Sequence, residues 1–334
     1  MTGPRGQRCF PNCCWDTRQR RIADGDHTEM TRTSERADEV LKKSSREWWS
    51  RHSQDYVAPG ETPHEGVPAG MPDSDFLAYL DVIDRNFIAD AYFAQPRGRS
   101  LFSGLMPVAW LEGKRVLEVG CGLGAHTEML CRAGARVTAV DLSPTSVEVT
   151  CRRLALKGLT AEVREADAEA LPFADTSFDA IWSWGVIHHS PDTVACAREM
   201  IRVLRPGGWM GIMLYHRHSL YNWINVIFRY GILRGRLLRM SVQELHNRYT
   251  DGKENEGAPL SKYYTRREIR DDLFLGVRIT RQRCFEQKHA VSFFVPARWR
   301  RSWERMIPDT LYTWLWSRLG FLVFSEGYKP DGGD

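Results

Sequence analysis

The chain has 334 residues, of which 43% are hydrophobic and 26% charged, with a net charge of +4. That length holds one large α/β domain with additions or two modest domains, and so small a charge gives no argument for a nucleic-acid partner. No run of about 18 uninterrupted apolar residues occurs, which speaks against a transmembrane span, and the N-terminus lacks an apolar signal core.

Eight cysteines are present. Cys121 falls in a glycine-rich loop and Cys131, Cys151 and Cys196 on expected helices, so they read as reduced, buried thiols of a cytoplasmic enzyme. Cys9, Cys13 and Cys14 form no Cys-x-x-Cys pair and have no histidine set nearby, so no metal is expected. Met1 to about Arg46 reads as a disordered polar extension, with Met30 as an alternative start.

Residues 47–113 read as an N-terminal arm with cap helices. Trp48 and Trp49 anchor a loop-rich stretch, and Phe76, Leu77, Leu80, Ile83, Phe87 and Ile88 recur at three and four residues. That spacing predicts an amphipathic helix covering the cofactor side of the main fold. From 114 to 215 short apolar runs alternate with helical patterns. Strands are expected at Arg115 to Val119, Arg136 to Val140, Ala161 to Glu165, Phe178 to Ser183 and Trp209 to Tyr215. Helices are expected at Ala125 to Ala133, Pro144 to Lys157 and Thr193 to Leu204. The alternation implies right-handed crossovers and a doubly wound, mostly parallel α/β sheet covered on both faces.

After His216 the rhythm breaks. Residues 216–263 read as an inserted lid or substrate segment: Leu220, Trp223, Ile224, Ile227 and Phe228 form one helical stripe, followed by Arg229, Arg234, Arg236 and Arg239, with no acid before Ser241. Two readings stand. The stripe packs over a substrate cleft, or residues 217–240 touch a membrane surface with arginines among anionic headgroups. The first is preferred, because amphipathic core helices outnumber interfacial ones. Residues 264–330 are expected to complete the sheet. Thr265 and Glu268 open a helix with a capping box, Val277 to Phe285 and Phe321 to Ser325 read as strands, and tryptophans and arginines interleave between Arg298 and Trp316. Arginine beside aromatics more often marks stems packed on surface rings than base stacking, so no specific nucleic acid is expected.

The chemistry begins at Val116-Leu-Glu-Val-Gly-Cys-Gly-Leu-Gly124, where a short strand runs into a glycine turn that brings a nucleoside-bearing cofactor against bare backbone. Gly120, Gly122 and Ala125, with Asp141 about 20 residues beyond the first glycine, also satisfy the dinucleotide fingerprint. A nicotinamide oxidoreductase is therefore the alternative reading. Glu118 favours the other: an acid at the strand's carboxyl end repels a pyrophosphate but suits the amino group and sulfonium of S-adenosylmethionine. Asp141 offers two carboxylate oxygens to a ribose diol, and its competing role as a helix cap is better filled by Ser143. Asp167, just past the third strand, can accept from an adenine amino group, the Ala168 amide can donate to a ring nitrogen, and Leu142 can wall the base.

Five blocks in order carry a resemblance. They are Glu118 to Gly124, Asp141, Ala166 to Phe173, Phe178 to His189, and Leu204-Arg205-Pro206-Gly207-Gly208. Together, over about Lys114 to Tyr215, the chain resembles the class I S-adenosylmethionine-dependent methyltransferases, in particular the group that includes the ubiquinone and menaquinone enzymes. The resemblance implies a Rossmann-like methyltransferase fold with a seven-stranded sheet. It implies S-adenosylmethionine as cofactor, held by Glu118, Gly120, Cys121, Gly122, Gly124, Asp141, Leu142, Asp167, Ala168 and Trp184. In it Glu118 helps to hold the methionine portion, with the backbone of Gly120 and Gly122 and the helix start near Gly124 carrying the rest. Leu204 to Gly208 reads as a helix stop and turn, Gly207 and Gly208 supplying positive φ.

The acceptor is expected beyond the fourth strand, at the carboxyl edge of the sheet. His188 and His189 could take a proton from an acceptor hydroxyl, and Tyr215, ending the fifth strand, could face the same cleft. Simple alignment of acceptor and methyl group is the competing account, since proximity supplies about 7–11 kcal/mol without a base. The expected reaction is methyl transfer to a small or amphipathic metabolite, to oxygen ahead of nitrogen or carbon, with RNA as another possible acceptor. Trp48, Trp49, Tyr221, Trp223 and Tyr263 are the candidates to line the acceptor side.

Overall fold

The computed structural model describes residues 36–52, 67, 70–90, 104–251, 257–285, 299, 306 and 308–331. Cys9, Cys13, Cys14, Met30 and Trp303 lie outside the described residues, as do the arginines expected beside that tryptophan. Helix α1 (36–52) and helix α2 (Asp73–Asp90) precede the sheet. The polar extension expected up to Arg46 therefore overlaps α1. Polar composition hid this helix, because its ion-pair partners are acids at and just after the end of β3, more than 100 residues away.

The core runs β1 (Arg115–Val119), α3 (Ala125–Arg132), β2 (Arg136–Asp141), α4 (Pro144–Leu156), β3 (Glu162–Glu165), β4 (Phe178–Trp184), α5 (Thr193–Val203) and β5 (Leu204–Tyr215). The insertion contributes α6 (Tyr221–Leu233) and α7 (Val242–Tyr249), after which β6 (Arg278–Phe285), α8 (Asp309–Leu319) and β7 (Leu322–Tyr328) finish the chain. The seven strands lie in the order β3-β2-β1-β4-β5-β7-β6, parallel except for β7, which is antiparallel to both neighbours. This is the expected doubly wound, mostly parallel sheet. The strand order reverses between β1 and β4, which opens a crevice at their carboxyl ends.

The pleat sorts the side chains of β1 and β4 between two cores. Leu117, Val119 and Ile181 pack with Cys196, Ala197 and Met200 of α5 on one face. Val116, Ala180 and Trp182 pack with Leu130 of α3 on the other. Glu118 and Trp184 share that second face by the same alternation. The expected stripe of α2 is in place: Phe76, Leu80 and Ile83 are buried against Leu123 of the glycine loop and Val149 of α4. Arg153 of α4, only 2% exposed, pins α2 by pairing with Asp84 while it also bonds Glu128 of α3 at 2.8 Å. Burying such a guanidinium is tolerable because both acids and the Leu123 carbonyl accept from it.

Caps follow the sequence closely. Ser143 accepts from the Ser146 amide ahead of Pro144, and Thr265 and Glu268 form the expected capping box. Two details differ. Of the pair Gly207-Gly208 only Gly207 takes a positive φ, +68°, and β5 begins at Leu204, before the turn rather than after it. The turn is held from outside, since the Gly207 amide donates to the Lys329 carbonyl and the Lys329 amide to Gly208. Cys151 is exposed on α4, unlike the buried Cys121 and Cys196.

Candidate functional site

The glycine loop joins β1 to α3 with φ of +84°, +52° and +80° at Gly120, Gly122 and Gly124. A Cβ on Gly120 would stand 2.1 Å from Val186 Cγ2. The loop therefore tolerates no side chain where it faces the segment after β4. Its amides are used differently from expectation. Gly120 and Cys121 both donate to the Val140 carbonyl, and Gly122 donates to Asp141 Oδ2 at 2.9 Å. The amides of Gly120 and Gly122 are thus engaged within the protein, and what the loop presents is its shape. Cys121 turns its side chain into the core.

Asp141 ends β2 as expected, and Ser143, not Asp141, caps α4. Its two oxygens accept from the amides of Gly122 and Ser143, each at 2.9 Å. Those bonds fix the carboxylate plane and leave a second lone pair on each oxygen. Burial raises the group above the ordinary carboxylate range, against the lowering by the Ser143, Gly122 and Leu142 amides. Leu142, beside it, is half-buried.

Glu118 is 1% exposed. Thr127 of α3 donates to its Oε2 at 2.6 Å, while Oε1 is buried with no hydrogen-bond partner. Burial dominates and pushes the carboxyl up to about 8, against the Thr127 hydrogen bond and the positive charge of Arg153, with Asp141 adding to the rise. Arg115, the arginine at the start of the same strand, pairs with Asp179 at 3.6 Å. An orphaned acid oxygen of this kind is what a cationic amino group would satisfy. His126 at the start of α3 is buried against Trp182 and Trp184, and burial lowers it to about 3, so it is neutral near pH 7. Trp184 stacks on Trp182 with ring centroids 5.7 Å apart.

Asp167 stands past β3, with Oδ1 accepting from the Glu169 amide at 2.8 Å. Its Oδ2 receives the Lys42 ammonium of α1 at 2.9 Å, and the same ammonium lies 2.5 Å from Glu169 Oε2. Burial works against the Lys42 charge, but Glu169 and Asp167 hold its pKa above the usual lysine range. Arg46 pairs with Glu165 at 2.6 Å, and Ser50 Oγ meets Ser143 Oγ at 2.9 Å. Helix α1 therefore lies along the carboxyl ends of β2 and β3, beside Asp141, Asp167 and the Ala168 amide. Glu118, Asp141 and Asp167 around the glycine loop are residues that could hold S-adenosylmethionine, since they set carboxylate oxygens where its amino group, ribose diol and adenine carry donors.

On the other side of the crevice His188, His189 and Tyr215 do come together. The His188 ring lies 4.2 Å from His189 and 3.9 Å from Tyr215 between centroids. Both His188 nitrogens are buried without a hydrogen-bond partner, and burial, helped by His189, holds its pKa well below the ordinary value. His189 Nδ1 is 2.6 Å from the Leu260 carbonyl. A carbonyl only accepts, so Nδ1 carries the proton and Nε2 the lone pair, which is buried without a partner. Burial lowers its pKa too, against the raising influence of Asp251 and of the Leu260 bond. The Tyr215 hydroxyl donates to Asp251 Oδ1 at 2.5 Å, and Ser261 Oγ donates to Oδ2 at 2.8 Å.

Of the expected lining residues, Trp49 packs edge-on to His189 at 4.7 Å, and Tyr263 lies 5.7 Å from Tyr215. Tyr221 packs on Phe321 at 4.7 Å, which in turn stacks on Tyr215. Trp48 is buried against Trp49 and His52. Trp223 does not belong to this set: it is 53% exposed on the outer side of α6. Lys42, Thr127, Asp251 and Leu260 were not singled out by sequence. Thr127 could have been found, since it lies nine residues from Glu118 at a fixed helical offset from the loop. The other three act across 36 to 125 residues, and no local pattern marks them.

Comparison with known proteins matches residues 117–212 to the methyltransferase domain family. A ubiquinone biosynthesis O-methyltransferase of Methylocella silvestris is 41% identical over 100 residues, covering 30% of this chain and 39% of that protein. A 2-methyl-6-phytyl-1,4-hydroquinone methyltransferase of Synechocystis is 40% identical over 97 residues, 29% of this chain and 30% of that protein. The matched stretch thus spans less than half of the curated relatives. Among solved structures, a putative sarcosine dimethylglycine methyltransferase from Galdieria sulphuraria superposes with a TM-score of 0.45 at 19% identity, over 75% of this chain and 88% of that one. The glycine loop, Glu118, Asp141 and the acids after β3 all fall within residues 117–212. Residues 117–212 are an S-adenosylmethionine-dependent methyltransferase domain.

Proposed function

We propose that this chain methylates a hydroxyl oxygen of an amphipathic, ring-bearing metabolite, with His189 as the base that receives the hydroxyl proton. The observation that carries the reading is the His189 imidazole. The Leu260 carbonyl fixes its tautomer, burial keeps it neutral, and its Nε2 lone pair has no partner among the described residues. When bound, S-adenosylmethionine supplies a methyl group on a sulfonium, which is already an active electrophile. The protein's task is then to orient the acceptor and hold its proton. Trp49 and Tyr215 pack against His189, and Tyr263 and Phe321 back Tyr215, an aromatic cluster suited to an aromatic or isoprenoid body. Asp251 anchors the Tyr215 hydroxyl and so sets that ring's orientation. The similarity to a ubiquinone biosynthesis O-methyltransferase and a hydroquinone methyltransferase supports a ring acceptor.

The test is methyl transfer to a panel of catechols, hydroquinols with apolar tails, aliphatic alcohols, amines and an RNA transcript, read as S-adenosylhomocysteine release. Turnover is expected with hydroxylated rings. His189→Ala should lower kcat by about 10²–10⁴-fold with unchanged affinity for S-adenosylhomocysteine. Turnover confined to amines or RNA overturns the acceptor assignment, and an unchanged kcat in the variant overturns the base.

A further inference from the structure

The insertion after β5 is a packed helical hairpin with an unusual outside. Its inner side is well made. Val226, Tyr230, Leu245 and Tyr249 form a small core, Tyr230 stacks on Tyr249 at 4.1 Å, and Asn222 bonds His246 at 2.9 Å. Ser241 and Glu244 cap α7 reciprocally. Of the stripe expected to pack inward over a cleft, Leu220, Ile224 and Ile227 are half-buried while Trp223 and Phe228 are exposed, because α6 is wound in the wider π form, with successive residues of one face four and five apart. Asn222, Asn225, Val226 and Tyr230 turn inward, whereas Trp223, Phe228, Ile232 and Leu233 turn outward, between 47% and 64% exposed.

The outward face continues through Leu237, Leu238 at 88% exposure, and Val242. Seven of the sixteen exposed large hydrophobic side chains among the described residues thus fall within Trp223 to Val242. A contiguous apolar patch of this kind marks an interaction surface, not a solvated face. Its charges have one sign. Arg229 and Arg234 lie over the Tyr230 ring at 5.0 and 4.8 Å, Arg236 and Arg239 are exposed, and no acid occurs between His216 and Glu244. No helix among the described residues is long and apolar enough to cross a membrane.

We propose that Trp223 to Val242 is a docking surface for an anionic lipid bilayer, with the apolar side chains entering the acyl boundary and Arg236 and Arg239 meeting the headgroups. Charge complementarity commits the surface to lipid: an arginine-only rim on a Trp, Phe, Ile and Leu face matches anionic headgroups above hydrocarbon, and repels a second copy of itself. The surface begins eight residues after Tyr215, so docking sets the acceptor end of the sheet against the bilayer. This goes beyond the methyl-transfer reading and holds whichever acceptor is used.

The test is co-sedimentation of the full chain with vesicles of phosphatidylcholine alone and of phosphatidylcholine mixed with phosphatidylglycerol, at low and high salt. Binding is expected to the mixed vesicles, at least about tenfold tighter than to the neutral ones and weakened by salt. Arg236→Glu with Arg239→Glu should abolish it, and Trp223→Ser with Leu238→Ser should reduce it at least about tenfold. All four side chains are exposed, and unchanged S-adenosylhomocysteine affinity of the variants reports an intact fold independently of turnover. Equal affinity for both vesicle types, no vesicle binding, or a concentration-dependent dimer that the same substitutions disperse each overturns the proposal.

Discussion

The two sides of the crevice at the carboxyl edge of the sheet are built on opposite principles. On the donor side, the polar groups of Asp141, Asp167 and Thr127 are held by partners mostly close along the chain: Ser143 two residues from Asp141, Thr127 nine from Glu118, Gly122 nineteen from Asp141. On the acceptor side, Tyr215 reaches Asp251 across 36 residues and His189 reaches Leu260 across 71, while three imidazole nitrogens find no hydrogen-bond partner. The donor side is a prefabricated mould in which Glu118 Oε1 is buried without a hydrogen-bond partner. The acceptor side joins core residues to the insertion, and its unsatisfied atoms are where the proposed acceptor would bond.

The largest effect is expected from breaking the mould. Gly120→Ala forces an L side chain to φ +84° and puts a Cβ against Val186. Strain at such a position costs on the order of 1–3 kcal/mol before the collision is added. S-adenosylhomocysteine affinity, measured by calorimetry, should fall by about 100-fold or more, which at 1.4 kcal/mol per tenfold means about 3 kcal/mol. Pairing the change with Val186→Ala should restore only the part due to collision. An unchanged affinity in Gly120→Ala would mean that the loop is not the mould.

This same locality explains what could be read from sequence. The strand before the glycine turn, Asp141 closing β2, Ser143 ahead of Pro144 and the capping box at Thr265 all depend on neighbours within a few residues, and each stands where expected. The antiparallel β7, between β5 and β6, was read as a strand too, although it pairs across more than 100 residues with β5, because alternation alone marks a strand. Orientation was harder. The apolar stripe of α6 is in the sequence, but which side faces out depends on its π winding, and periodicity cannot see that. Helix α1 was missed because polar residues fix it, through Lys42 bonding an acid 125 positions away.

A middle-sized effect isolates Glu118. Its folded-state pKa of about 8 lies above the ordinary 4.5, so the folded protein keeps a proton that the unfolded chain gives up. Below 4.5 the group costs nothing. As pH rises from 4.5 to 8 that stability is progressively lost, and above 8 the loss is constant. Glu118→Gln stays neutral throughout. Without cofactor, its Tm should therefore move upward relative to the parent between pH 5 and pH 8, by about 5 °C. The buried histidines, lowered in the fold, favour the folded state at higher pH, but they are common to both proteins and cancel in the difference. A difference that stays flat from pH 5 to 8 would remove Glu118 as a protonated, waiting acceptor.

The smallest effect tests whether the two sides are independent. Lys42 and Trp49 are seven residues apart on α1, two turns and one face. Lys42 holds Asp167 and Glu169 on the donor side, and Trp49 covers His189 on the acceptor side. Partly exposed ion pairs contribute about 0.2–1 kcal/mol each, so Lys42→Met should weaken S-adenosylhomocysteine binding only about two- to fivefold. The informative quantity is the acceptor KM. If α1 moves as a rigid rod, losing its donor-side anchor shifts Trp49, and the acceptor KM rises in step with the cofactor Kd. If Ser50 on Ser143 and Arg46 on Glu165 hold the helix by themselves, the cofactor Kd changes alone. A coupled change would make α1 the one element that reports occupancy of the prefabricated side to the assembled one, and would end the description of the crevice as two independent halves.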